Sequence, residues 1–157
     1  MVRENTYWVK LLEESETFFG RATACLTEED SSFAPAEGMF TVAGQVGHTA
    51  LTVHWFLDGG FKDTWDLDFE QHVAEANAFT SLGAAREHLA AAFERARDCA
   101  ANTPAEVLRQ PLPQGEIMPG APRGEVFGAI AEHTAHHRGA LSVYARLRGK
   151  VPAMPYA

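Results

Sequence analysis

Apolar residues recur along the chain at the three- and four-residue spacing of amphipathic helices, in four long stretches. These stretches are residues 5–26, 41–57, 81–101 and a last one from just after 121–124 to 148. Thr41 is a suitable N-cap for the second stretch, and Asp58-Gly59-Gly60 has the composition of a helix stop at its end. No stretch shows the two-residue alternation of a half-buried strand, so the pattern predicts an all-α fold.

The connections between these stretches are long. Residues 27–40, 58–80 and 102–123 exceed the roughly two to eight residues that usually join neighbouring helices of a bundle. We therefore predict a four-helix bundle with at least one crossover connection, and a short extra helix within residues 61–79. No linker or low-complexity segment divides the chain, so a single domain over residues 1–157 is expected.

Composition narrows the classes of function. Thirteen Lys and Arg residues against 21 Asp and Glu leave a net charge of −8, which argues against binding to nucleic acid or to an anionic membrane surface. The first residues have no apolar signal core, and no apolar run approaches the ~20 residues of a membrane span, so we expect a cytoplasmic protein. Cys25 and Cys99 are expected to be reduced, buried thiols.

Three of the seven histidines fall within five positions: His133, His136 and His137. His133 and His137 are one helical turn apart on the same face, where one metal ion can be reached by both rings. The residues in register with this pair are apolar, so the pair is expected to point into the bundle. Buried imidazoles need either a metal or hydrogen bonds to backbone or water, and the spacing alone leaves both alternatives open.

A third ligand has to come from another helix. His48 is the better candidate in the second helix, because Gly44 and Gly47 beside it permit close helix approach. His54 lies on a different face, and it is interpreted, with His72 and His88, as a surface or loop residue.

Further residues near such a site are interpreted from helical spacing. Trp55 and Tyr144 each lie one heptad from a candidate ligand, so they either line a pocket or pack in the core. His136 points away from His133 and is expected to line or support the site rather than to bind the metal. Glu125 and Glu132 are candidate acceptors for the second N–H of a ligand histidine.

These residues resemble a known family. The run EHTAHHRGALSVYARLRGKVPAMPYA is similar to the C-terminal helix and tail of the DinB-like (YfiT-like) superfamily, which carries an H-x-x-H-H-R-G-Q-L signature. The segment TVAGQVGHTALTVHWFLDGG resembles that family's helix with a single metal-ligand histidine, and the resemblance spans essentially the whole chain. One departure is Ala140, which stands where the family often has Gln.

The resemblance implies a four-helix bundle with one divalent metal ion, zinc or nickel, held by His48, His133 and His137. It also implies a homodimer. Family members with known activity include thiol S-transferases that use bacillithiol or glutathione and a mycothiol-dependent maleylpyruvate isomerase, and others are described as metal-dependent hydrolases.

Two functions of different class follow. The first is a metal-dependent transferase or hydrolase that acts on a small molecule, with thiol S-transfer favoured and a low-molecular-weight thiol as cofactor. Neither cysteine is near the histidines in the sequence, so an external thiol is the more natural nucleophile. The second is a non-catalytic, metal-binding stress-response protein that acts through its dimer or partner surface.

Overall fold

Six α-helices and one 3-10 helix form the regular structure of this protein in a computed structural model that describes residues 2–157, with side chains from residue 5 onward. The elements are α1 (Val2–Thr23), the 3-10 helix (Glu28–Asp30), α2 (Val42–Lys62), α3 (Phe69–Asn77), α4 (Leu82–Asn102), α5 (Ala105–Leu108) and α6 (Glu125–Leu147). The described residues contain no strand, only an isolated bridge between Pro111 and Pro122. The predicted all-α class is therefore confirmed.

The four long helices pack around one apolar core. Both α1 and α2 pack extensively against α4 and α6, so α1 and α2 occupy opposite corners of the group. The connection from α1 to α2 and the connection from α4 to α6 both cross between opposite corners, which explains their length. The largest side chains with almost no exposed surface come from all four helices: Leu12, Phe19, Val46, Phe93, Phe127, Ile130 and Leu141.

Capping side chains begin two of the long helices, and the cap at Thr41 was predicted. The Thr41 hydroxyl accepts a hydrogen bond from the Gly44 backbone N–H at 3.0 Å, and Ser81 does the same for the Ala84 N–H at 3.2 Å. Each bond satisfies one of the backbone donors that a helix leaves unpaired in its first turn. The short helix expected within residues 61–79 is α3, which packs against α2.

The predicted helix stop at residues 58–60 is wrong, because α2 continues to Lys62. It ends where Asp63 adopts a left-handed conformation (φ 56°) and donates its N–H to the Asp58 carbonyl. Gly59 and Gly60 serve close packing instead: a Cβ on Gly59 would lie 2.2 Å from the Trp65 ring, and one on Gly60 would lie 2.6 Å from Val126. The glycine pair thus brings α2 against its neighbours rather than ending it.

A buried carboxylate ties the chain after α6 to the connection after α1. Asp30 is fully buried and accepts a 3.0 Å hydrogen bond from Nε of Arg148 and a second one from Nζ of Lys150. Its Oδ2 also accepts from the Thr27 backbone N–H at 2.8 Å. These bonds hold the end of the helix that carries the C-terminal histidines.

None of the helices between residues 2 and 157 has an apolar stretch long enough to span a bilayer. Cys25 and Cys99 are both unpaired and partly buried.

Candidate metal centre

His48 of α2 converges with His133 and His137 of α6. One potential ligand atom from each residue can be chosen so that all three lie within 4.8 Å of one another, and the Nε2 atoms of His133 and His137 are 3.0 Å apart. Three nitrogens at about 2.0–2.1 Å from a tetrahedral ion would be about 3.3 Å apart, so small side-chain adjustments suffice for this geometry. The residues present therefore fit a divalent metal ion.

Gln45 orients one of these rings. Its side-chain Oε1 lies 3.0 Å from Nδ1 of His137, and both residues are buried. An amide oxygen only accepts, so Nδ1 carries the proton and donates it, which leaves the lone pair of Nε2 free toward the other two histidines. Gln45 precedes His48 by three residues on α2, so one helix supplies both a candidate ligand and the group that orients another.

Burial keeps the three imidazoles neutral. It lowers the pKa of His133 to about 4, with the neighbouring rings of His48 and His136 adding to the effect. It lowers the pKa of His137 to about 3, with further contributions from the adjacent histidines, and it also lowers the pKa of His48. Neutral imidazole is the form that binds metals, so at neutral pH the cluster needs no deprotonation before it binds an ion.

Two aromatic rings pack against the three-histidine cluster. The Phe40 ring stacks on His48, with centroids 5.0 Å apart and planes 25° apart. Phe56 stands edge-on to His133 at 6.3 Å. These contacts restrict the two rings and reduce their access to water.

A cleft of about 860 Å³ opens beside the cluster, and His48 and His133 are part of its lining. Its volume lies within the roughly 300–1,000 Å³ that is usual for small-molecule sites. Side chains of α2, of α3 and of the segment between them contribute most of the lining, among them Leu51, Trp55, Trp65, Phe69, His72 and Val73. His137 lies behind the other two histidines, with 7% of its surface exposed.

The remaining candidate residues occupy different places. Trp55 lines the cleft, and its indole N–H donates to the Asp66 carbonyl at 2.7 Å. Tyr144 is 2% exposed and packs in the core, with its hydroxyl donating to the Phe40 carbonyl at 3.1 Å. His136 is exposed and contacts the His137 ring edge-on at 4.8 Å, outside the set of described residues that line the cleft.

Several site residues were not found from the sequence. His54 and His72 line the cleft, although they were interpreted as surface or loop residues. Gln45 takes the place proposed for Glu125 or Glu132, both of which are exposed on α6. The buried face that Gln45 shares with His48 was the available signal for its role, whereas nothing local to His72 indicates where α3 packs.

Comparison with known families agrees with this arrangement. A family model described as the DinB superfamily matches residues 11–141, a range that contains all three histidines and Gln45. No curated protein matches the chain significantly.

Proposed function

Because the chain belongs to the DinB superfamily, we propose that His48, His133 and His137 bind one divalent metal ion, zinc or nickel. We propose further that the protein is a metal-dependent enzyme that transforms a small molecule in the adjoining cleft. The observation that carries the proposal is the convergence of three neutral imidazoles from two helices, one of them oriented by Gln45.

The three histidines lie at different depths and therefore have different roles. His137 is buried and held by Gln45, so it fixes the centre within the protein. His48 and His133 line the cleft, so a bound molecule meets the centre on their side. A divalent ion with three protein ligands keeps an open coordination position, where it lowers the pKa of a bound water or thiol.

Thiol S-transfer is the favoured reaction class, ahead of hydrolysis. No cysteine is among the described residues that line the cleft, so a thiol nucleophile has to be supplied by a low-molecular-weight cofactor. A thiolate is a stronger nucleophile than water, and a thiol bound to a metal ion at the three histidines would be ionised near neutral pH. The predicted homodimer and cytoplasmic location remain predictions.

Metal content tests the binding proposal. Elemental analysis of untagged protein should give close to one zinc or nickel per chain, and this metal should be lost in His48→Ala and in His133→Ala. His88→Ala is the matched control, because His88 is an exposed helical histidine that packs on Phe79 and lies outside the cleft lining. Wild-type protein that contains no metal and does not bind added Zn²⁺ or Ni²⁺ would contradict the proposal.

A cobalt-substituted protein separates the reaction classes. Addition of glutathione or 2-mercaptoethanol should produce a thiolate-to-cobalt charge-transfer band if thiols reach the open position. A cobalt spectrum that does not change on addition of any small thiol would count against S-transfer. The remaining choices would then be hydrolysis and the non-catalytic, metal-binding stress-response protein.

A further inference from the structure

One wall of the cleft is aromatic, and a glycine in the last turn of α2 makes room for it. A Cβ on Gly59 would lie 2.2 Å from two atoms of the Trp65 ring, far inside any real contact distance. The indole ring therefore packs directly against the helix backbone. A glycine within a helix lowers the stability of the fold relative to alanine. The packing of the Trp65 ring against α2 has to compensate for that loss of stability.

Trp65 belongs to a set of three rings, here called the aromatic wall: Trp55, Trp65 and Phe69. The Trp55 and Trp65 centroids are 4.7 Å apart with planes at 66°, and those of Trp55 and Phe69 are 6.4 Å apart at 60°. The hydrogen bond from the Trp55 indole to Asp66 fixes one ring relative to the segment that carries another. Phe69 remains 55% exposed and Trp55 and Trp65 are partly exposed, so some of this apolar surface is open to the cleft.

Most of the carboxylates that line the cleft are paired with a basic group, while Glu75 accepts a hydrogen bond from the Gln71 amide. Three of these carboxylates have a basic partner within ion-pair distance. The pairs are Asp58 with Arg95 and Lys62, Asp63 with Arg123, and Asp66 with the His72 ring. Lys62, Arg95 and Arg123 are held by these carboxylates, so they are poor receptors for an anionic group, whereas the exposed aromatic surface can receive an uncharged ring.

We propose that the aromatic wall binds the uncharged aromatic body of the small-molecule substrate and directs its reacting group toward His48 and His133. The rings present edges and faces at steep angles to one another, and a planar aromatic ligand can stack on one ring while meeting another edge-on. The direction of the reacting group rests on the function proposed above. The ring contacts themselves involve no metal ion.

Matched neutral probes test this proposal in the full-length protein. Calorimetric titration compares naphthalen-2-ylmethanol with its saturated decahydro counterpart, which has similar bulk and the same hydroxyl but no π system. The aromatic probe should bind more tightly by roughly two- to tenfold per ring contact. Equal affinity for the two probes, or failure of the aromatic probe to bind, would overturn the inference.

Two variants locate the effect. Trp65→Leu removes one ring of the aromatic wall, whereas Gly59→Ala keeps every ring but displaces Trp65 from its contact with the α2 backbone. Both variants should bind the aromatic probe several-fold more weakly than the wild type does. Both should also show a smaller difference in affinity between the aromatic and the saturated probe. Tyr7→Leu and Gly20→Ala are the controls, since Tyr7 is an exposed aromatic residue of α1 and a Cβ on Gly20 meets nothing within 4 Å. Folded Trp65→Leu and Gly59→Ala proteins with unchanged discrimination would refute the assignment to this wall.

Repeating the titrations after chelator treatment separates this inference from the metal proposal. Discrimination that persists in chelated protein supports the aromatic wall whatever the metal analysis shows. Discrimination that disappears with the metal would place the selectivity at the histidines, and that result would overturn the proposal for the wall while leaving the metal site intact.

Discussion

Asp30→Asn should destabilise the fold, because it removes the charge from a carboxylate that is fully buried between two cations. Hydrogen bonds to charged groups contribute about 1.5–3 kcal/mol each, and Asp30 accepts one from Arg148 and one from Lys150. The two basic side chains keep 42% and 28% of their surface exposed, so water partly replaces the lost partner. We therefore expect a loss of about 2–3 kcal/mol in the free energy of unfolding, which is less than the two bonds together because water replaces part of each.

The pH dependence of this loss is fixed by the direction of the pKa shift. Burial by itself raises the pKa of Asp30, but the hydrogen bonds from Lys150, the Thr27 N–H and Arg148 outweigh burial and hold it well below its ordinary value. A lowered folded-state pKa stabilises the fold fully above the unfolded pKa, about 3.9, and this contribution is lost as the pH falls toward the folded value. The difference between wild type and Asp30→Asn should stay constant from pH 5 to 8 and shrink by roughly 1.4 kcal/mol per unit well below pH 4.

Urea unfolding followed by circular dichroism measures this difference at each pH. For a chain of this length the expected loss corresponds to a decrease of about 4–12 °C in Tm. Glu29→Gln is the matched control, since Glu29 is the exposed neighbouring carboxylate and its loss should change the stability by less than about 0.5 kcal/mol. A loss below about 0.5 kcal/mol for Asp30→Asn, or a difference that does not change between pH 5 and pH 3, would refute the reasoning.

Three further substitutions probe the site and its supports. Gln45→Leu leaves the His137 N–H without its acceptor, and it should weaken zinc affinity by about 10–100-fold in competition titrations; unchanged affinity would exclude the orienting role. Tyr144→Phe removes the hydrogen bond to the Phe40 carbonyl and should cost about 1 kcal/mol in urea unfolding, whereas a neutral result would mean that water satisfies that carbonyl. Gly60→Ala places a Cβ 2.6 Å from Val126 and should lower the free energy of unfolding by about 1–3 kcal/mol. Gly20→Ala is the control, because Gly20 lies on an open helix surface, where alanine should stabilise the fold slightly. Equal effects of the two substitutions would contradict the close approach of α2 and α6.

The parts of the structure that depend on local patterns could be predicted from the sequence. The four long helices follow from apolar spacing, and the start of α2 follows from the capping residue Thr41. The proximity of His133 and His137 follows from one helical turn. The fold places His48 with this pair, as the resemblance to the DinB-like family implies, while the binding of a metal by the three residues remains a proposal.

The parts that depend on tertiary packing could not be predicted. A glycine pair that ends a helix cannot be distinguished in the sequence from a pair that allows close packing of a neighbouring side chain. The prediction of a helix stop at Gly59 and Gly60 was therefore wrong. The position of His72 in the cleft depends on how α3 packs against α2, which no short-range pattern encodes. Trp65 lies in an irregular segment, where helical spacing gives no information about the direction of the ring.

Anomalous diffraction at the zinc edge, from crystals of protein reconstituted with one equivalent of Zn²⁺, tests the metal centre most directly. A single peak is expected about 2.0–2.1 Å from one nitrogen each of His48, His133 and His137, with the fourth position facing the cleft. A peak at another site, or no peak while His133 and His137 remain hydrogen-bonded to each other, would contradict this metal centre.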